Sequence, residues 1–194
     1  MPPTNPSRRR ALTDAAIELL ASSGVHGLTH RAVEKRAGLP PGTASNYFRS
    51  REALLVAAAE RIVELHHADT DRINREHHAA RDAELAELLA RSLLTAATTA
   101  RDRYLAIFEL QLEAVRRPAL AAALAGLQDA AVRLTAGQHD QLGTAVPPER
   151  IPALIALYGG ALFTLVTAPP GVVGEDLARQ LAQAIVDGCA VPGG

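Results

Sequence analysis

Leu12, Ala16, Leu19 and Leu20 fall at the three- and four-residue intervals of a single helix face, within a stretch from about Ser7 to Ser23. Gly24 then stands where a helix end favours a residue without a Cβ. Thr29 is an N-cap for a short helix from His30 to Ala37, with Ala32, Val33 and Ala37 inward and Gly38 at its end. The stretch AGLPPGTASNYF, residues 37–48, interrupts this alanine- and leucine-rich pattern. Pro41 suits the first turn of a third helix, where its missing N–H is no loss, and that polar stub ends near Tyr47 or Phe48. Ser50 caps a fourth helix with Glu52 in its first turn. Leu54, Leu55, Ala58, Ile62 and Leu65 carry its apolar face, and the polar HHADTDRINREHH follows. Further helices are predicted at about 82–98, 101–116, 118–142, 149–167 and 175–189. Their punctuation is Arg116-Arg117-Pro118, residues 143–148 and residues 168–174, and no internal repeat is present.

Composition strengthens the helical pattern. Apolar residues make up 48% of the 194, mostly Ala and Leu, while aromatics are only 3%. Ala and Leu lose little on entering a helix, whereas strands favour branched and aromatic side chains, so the chain reads as all-α. A single cysteine, Cys189, cannot form an internal disulfide and fits a reducing compartment. The amino terminus carries no secretory pattern, so a cytoplasmic location is expected. The net charge of −1 conceals an asymmetry, with a balance of +5 over residues 1–51 and −6 over the remainder. A basic head on an acidic body points to a polyanionic partner for the head.

The stub gives that partner a chemistry. A short helix, a tight turn and a second short helix form a helix-turn-helix, whose second helix lies in the major groove. Thr43 and Ser45 are suited to bases or phosphates, Asn46 to bidentate pairing with adenine, Ala44 to a thymine methyl and Tyr47 to a phosphate. Phe48 would anchor the stub to the first and fourth helices. The alternative is a plain interhelical loop over residues 38–48.

Residues from about Ala11 to Ile62 resemble the DNA-binding head of TetR-family transcriptional regulators. The resemblance is carried by ELLASSGVHGLT, HRAVEKRAG, GLPPGTASNYF and RSREALL. It implies residues 1–50 as a helix-turn-helix DNA-binding domain and 51–194 as a variable helical domain for effector binding and dimerisation. It further implies a repressor that binds a (pseudo)palindromic operator in double-stranded DNA as a homodimer, released by a small-molecule effector. By position, Thr29 resembles a phosphate contact at the second helix's start, Thr43, Ala44, Ser45 and Asn46 resemble base-reading positions, and Tyr47 and Arg51 resemble phosphate contacts. Ala44 and Ser45 stand where the family often has a larger aliphatic and an aromatic residue, and Pro40 where a serine N-cap is common. Arg8, Arg9 and Arg10 read as either a flexible DNA arm or a solvated terminus.

In the body, residues 151–174 carry no charge. The first eighteen reach the length of a membrane span, but Pro152, Gly159, Gly160 and Pro169-Pro170 interrupt them, and a helix apolar all round is otherwise buried within protein. Ile155, Tyr158, Gly159, Leu162 and Val166, with Leu177, Leu181 and Ile185 of the next helix, are expected to form a four-helix seam with a second copy. Tyr104, Phe108 and Gln111 share one helix face and are candidates for an effector pocket, or for plain core. No Gly-rich phosphate loop, nucleophile elbow or paired metal motif is present, so no enzyme and no cofactor are expected. His66, His67, His77 and His78 leave a single E-x-x-H, and the alternative they sustain is a helical ligand-binding or metal-responsive protein without specific DNA binding.

Overall fold

A computed structural model describes residues 5–77, 85–127, 147–169 and 171–189. Every regular element among the described residues is helical: α1 (Pro6–Gly27), α2 (His30–Ala37), α3 (Thr43–Tyr47), α4 (Arg51–His77), α5 (Leu85–Ala97), α6 (Arg101–Ala114), α7 (118–127), a single 3-10 turn (Pro148–Arg150), α8 (Ile151–Thr167) and α9 (Glu175–Cys189). Residues 82–84 and 128–142 of the predicted helices lie outside the described residues. The chain forms two compact units. One joins the described residues up to His67 with Asp102–Leu127, and the other joins Ala68–Arg101 with the described residues from Pro147 onward. The expected boundary at 50/51 therefore falls inside the first unit, because α6 and α7 pack with the head.

In that unit α1 starts as an ideal helix should. The Asn5 side chain accepts from the N–H groups of Ser7 and Arg8, and Pro6 occupies the first turn. Gly24 breaks the helix where expected, with φ 63° and ψ −176° outside helical geometry, and a short further turn beyond this kink runs to Gly27. The kink takes Val25 N–H out of the helical ladder, and Glu109 of α6 accepts it at 2.9 Å. A Cβ at residue 24 would lie 3.1 Å from Glu109 Oε2. Gly24→Ala therefore forces an L side chain into an almost glycine-only region and disturbs that carboxylate, so it is expected to lower stability by about 1–3 kcal/mol. Urea denaturation followed by circular dichroism measures this, and an unchanged midpoint would mean that the kink relaxes without strain.

The Thr29 hydroxyl oxygen caps α2 by accepting Ala32 N–H at 3.1 Å, and Gly38 ends it in the left-handed conformation at φ 65°. Pro41 is not in the first turn of α3, as expected from sequence, but in the turn before it. Consecutive prolines drive Pro40 out of the helical region, and Gly42 at φ 85° becomes the N-cap. Ser50 caps α4 through Ala53 N–H at 3.0 Å. Arg61 on α4 donates to Asp14 on α1 at 2.7 Å, and that hydrogen bond above all raises the guanidinium's already high pKa. Leu12, Leu20, Leu28, Val33, Phe48, Leu54, Leu55 and Ile62 form one buried cluster with Leu110 of α6 and Leu120 of α7.

The second unit is built on α5, α8 and α9. Leu85, Leu154, Ile185 and Cys189 are buried together, and the Ser92 and Tyr158 hydroxyls lie 2.7 Å apart. Arg101 closes the end of α8 by donating to the carbonyls of Val166 at 3.0 Å and Ala168 at 3.4 Å. The uncharged α8 is not buried all round in this chain. Leu154, Leu162, Leu165 and Val166 face inward, whereas Ala153, Ala156, Leu157, Gly160 and Phe163 are exposed. No helix among the described residues is long and apolar enough to cross a membrane.

Candidate nucleic-acid interface

The five residues of α3 divide sharply into an underside and a top. Ala44 is fully buried and Phe48, just beyond, is 3% exposed, while Ser45 and Asn46 are exposed. Ala44 was the residue expected against a thymine methyl. Its methyl instead fits α3 onto the core, and the small side chain is what lets the helix sit so low. Thr43 is half-buried, and its hydroxyl donates to Pro40 O at 2.6 Å. His30 on α2 donates through Nε2 to Phe48 O at 2.8 Å, tying the end of α3 to α2.

Tyr47 and Arg51, both expected at phosphates, are engaged within the protein. The Tyr47 hydroxyl accepts from Asn5 N–H at 3.1 Å and lies 3.3 Å from Asn5 O, so it fastens the first residue before α1. The Arg51 guanidinium donates to Leu28 O at 3.1 Å and to Val25 O, bracing the segment that joins α1 to α2. A sequence motif marks a cation there without revealing that two backbone carbonyls at the junction of α1 and α2 claim it. Arg8, Arg9 and Arg10 are not a flexible arm; they lie in the first turns of α1. Arg9 pairs with Glu60 at 3.2 Å and sits 5.8 Å above the Phe48 ring, while Arg8 and Arg10 point outward.

The exposed residues of the same segment include Thr29, Arg31 and Lys35 at and on α2, and Arg49 just after α3. Arg31, Lys35 and Arg49 were not singled out from sequence. The four-residue interval of Arg31 and Lys35 on one helix face was the available signal. Glu34, 5% exposed, was also missed; its carboxylate accepts Ala44 N–H at 2.7 Å.

Elsewhere, Tyr104 and Phe108 are half-buried against the first unit's core, and Gln111 is exposed. A hollow of about 240 Å³ lies in the second unit, between Ala97, Thr98, Arg101, Leu165 and Val173. Of the residues expected in a dimer seam, Leu162, Val166 and Ile185 are buried within the chain. Ile155, Tyr158, Gly159 and Leu181 are half-buried and Leu177 is exposed. Among the described residues no group of three or more His, Cys, Asp and Glu is placed to hold a metal ion. His78 and the side chain of His77 lie outside what the structure describes.

Comparison with known proteins agrees with this geometry. Residues 12–58 match the model of bacterial regulatory proteins of the TetR family, and residues 80–189 match the tetracyclin repressor-like C-terminal domain. The HTH-type transcriptional regulator BetI of Rhizobium meliloti (strain 1021) is 40% identical over 52 residues, 27% of this chain and 26% of BetI. The match to the curated relatives thus spans about a quarter of their length. The multidrug binding protein EbrR, solved with ethidium, is 32% identical, with 93% of this chain and 99% of that one covered at a TM-score of 0.69. A TetR-family member from Streptomyces coelicolor A3 has the same identity and TM-score, with 93% and 98% covered. With matched models over both parts of its length, a relative covered almost end to end and a helix-turn-helix that buries its underside and exposes Ser45 and Asn46, the chain belongs to the TetR family of bacterial transcriptional regulators.

Proposed function

We propose that the protein is a cytoplasmic repressor that binds a (pseudo)palindromic operator as a homodimer and leaves it when a small-molecule effector binds. The observation that carries the DNA contact is the division of α3: its core-facing residues are committed to packing, and Ser45 and Asn46 beside them are exposed. Asn46 offers a donor and an acceptor for one adenine edge, and Ser45 a single hydroxyl for base or phosphate. Arg31, Lys35 and Arg49 supply charge for the phosphate backbone, which positions without specifying. Thr29 stands at the N-terminus of α2, where the helix dipole favours a phosphate.

A single five-residue helix reads few base pairs, which is the reason to present two of them about one DNA turn apart. The exposed apolar face of α8, with Leu157 and Phe163 about half exposed, supports pairing with a second copy. Effector release would act through α6. Its Ile107 and Leu110 lie in the head's core and its Glu109 holds Val25 N–H, so a shift of α6 moves the end of α1 and the start of α2. An effector releases DNA only as far as it prefers the shifted arrangement. Ethidium, proflavin and malachite green, with which EbrR was solved, are the first probes for effector binding.

The test is fluorescence anisotropy with duplex from upstream of the protein's own gene, with excess unrelated competitor, at two salt concentrations. Binding is expected to survive the competitor and to weaken with salt. Asn46→Ala should reduce operator affinity by about 1–3 kcal/mol and leave unrelated-duplex affinity unchanged. Binding abolished by competitor, or insensitive to Asn46→Ala, would remove α3 as the reading element.

A further inference from the structure

We propose that Glu34 is the positioning residue of the recognition helix: from α2, its buried carboxylate caps α3 and sets the orientation in which Ser45 and Asn46 meet DNA. The inference rests on the reading that α3 faces DNA. Glu34 is the one acidic residue buried among the described residues. A carboxylate withdrawn from water is tolerated only when hydrogen bonded, and this one accepts Ala44 N–H at 2.7 Å, the short distance of a charge-assisted bond.

The recipient is a helix that cannot stand alone. α3 has five residues, far below the length at which a helix persists in water. Its own capping is deficient. Gly42 at the N-cap has no side chain, and the Thr43 hydroxyl donates to Pro40 O. Thr43 N–H takes the same carbonyl at 3.2 Å. Ala44 N–H, the second in the helix, is satisfied from outside by Glu34, at the end where the helix dipole favours negative charge.

Glu34 also governs the other end of the turn. Its backbone carbonyl accepts Leu39 N–H at 3.0 Å and takes part in closing α2 at Gly38. The carbonyl of one residue thus ends α2 and its side chain begins α3, so residues 38–43 hang between two bonds to the same residue. The capped amide belongs to Ala44, adjacent in sequence to Ser45 and Asn46. A small rotation of α3 about this point therefore moves both exposed side chains.

Glu34→Gln keeps the shape and one acceptor oxygen, whereas Glu34→Ala removes the bond. Each is compared with wild type for affinity to operator and to unrelated duplex, for melting temperature, and for hydrogen exchange at the Ala44 amide. Glu34→Ala is expected to lose about tenfold or more in operator affinity, with unrelated-duplex affinity and its salt slope unchanged, and to expose the Ala44 amide to fast exchange. Glu34→Gln should fall between the two and remain folded if Glu34→Ala does not. An operator-to-unrelated ratio equal to wild type in both variants, with only the melting temperature lowered, would overturn the proposal as mere structural support. So would an Ala44 amide that exchanges equally in all three proteins, a result independent of DNA. Wild type that fails to discriminate operator would instead remove the DNA reading, and the proposal with it.

Discussion

Phe48→Ala is expected to lower the unfolding free energy by about 3–5 kcal/mol, the range for truncating a buried aromatic residue. Against a total of about 5–15 kcal/mol for a domain, that is enough to leave the head partly unfolded at 37 °C. The ring is 3% exposed and joins a cluster with Leu12, Leu20, Leu54 and Leu55. Arg9 lies above its face, Tyr47 packs at 6.3 Å, and its carbonyl holds His30. Removing the ring therefore leaves a cavity where α1, α3 and α4 meet, and it frees the end of α3. Chemical denaturation followed at 222 nm gives the stability change. Operator binding, measured below the transition where the variant is still folded, should also fall. Phe48→Leu retains apolar bulk and should lose under about half as much stability. A Phe48→Ala protein with a wild-type denaturation midpoint would mean that the cluster repacks without it, and that the aromatic ring does not anchor the stub.

The head was legible because its signals are local and redundant. Thr29 and Ser50 cap the helices they were expected to cap, Gly38 takes the left-handed conformation at the end of α2, and Phe48 is buried. Each depends on backbone chemistry within three or four residues. The surroundings of the residues assigned to DNA have the opposite character. Ala44, Tyr47 and Arg51 were assigned by position to DNA, yet their surroundings come from residues far away in sequence: Glu34 for the Ala44 amide, Asn5 for the Tyr47 hydroxyl, Val25 and Leu28 for the Arg51 guanidinium. Arg9 is likewise taken by Glu60, 51 residues on. A motif records which residue types recur, and cannot record which of two partners, a phosphate or a group of the protein itself, each polar group meets.

In the body the obstacle was phase. Where a helix mixes charged and apolar residues, the charges mark the side that faces water, as on α9, where Asp176, Arg179 and Asp187 are exposed and Ala178, Ala182 and Ile185 are buried. α8 carries no such mark, since Ala, Leu, Gly and Phe occupy its whole circumference. The expected seam therefore included Leu162 and Val166, which this chain buries itself, and left out Leu157 and Phe163, which share an exposed face with Gly160.

That rotated face yields the second large effect, at Gly160. Nothing lies within 4 Å of a Cβ built there, and the residue is exposed in mid-helix. Gly160→Leu should therefore cost the folded chain nothing, and the better helix propensity of Leu should add up to about 0.8 kcal/mol. In a homodimer that packs α8 against a copy, the same side chain enters the gap through which the two backbones approach, beside Leu157 and Phe163. The variant is expected to be more heat-stable as a monomer yet to lose dimerisation, as read by light scattering at micromolar concentration. Operator affinity should then fall by about 100-fold or more, because the second head no longer arrives at the high effective concentration its partner provides. Leu157→Arg should act in the same direction by placing an unpaired charge in the seam. The opposed signs make the test decisive: an ordinary folding defect lowers melting temperature and affinity together, whereas a seam at this face separates them. Gly160→Leu that remains dimeric with wild-type operator affinity would move the interface away from this face of α8, and a monomeric wild-type protein would remove the homodimer altogether.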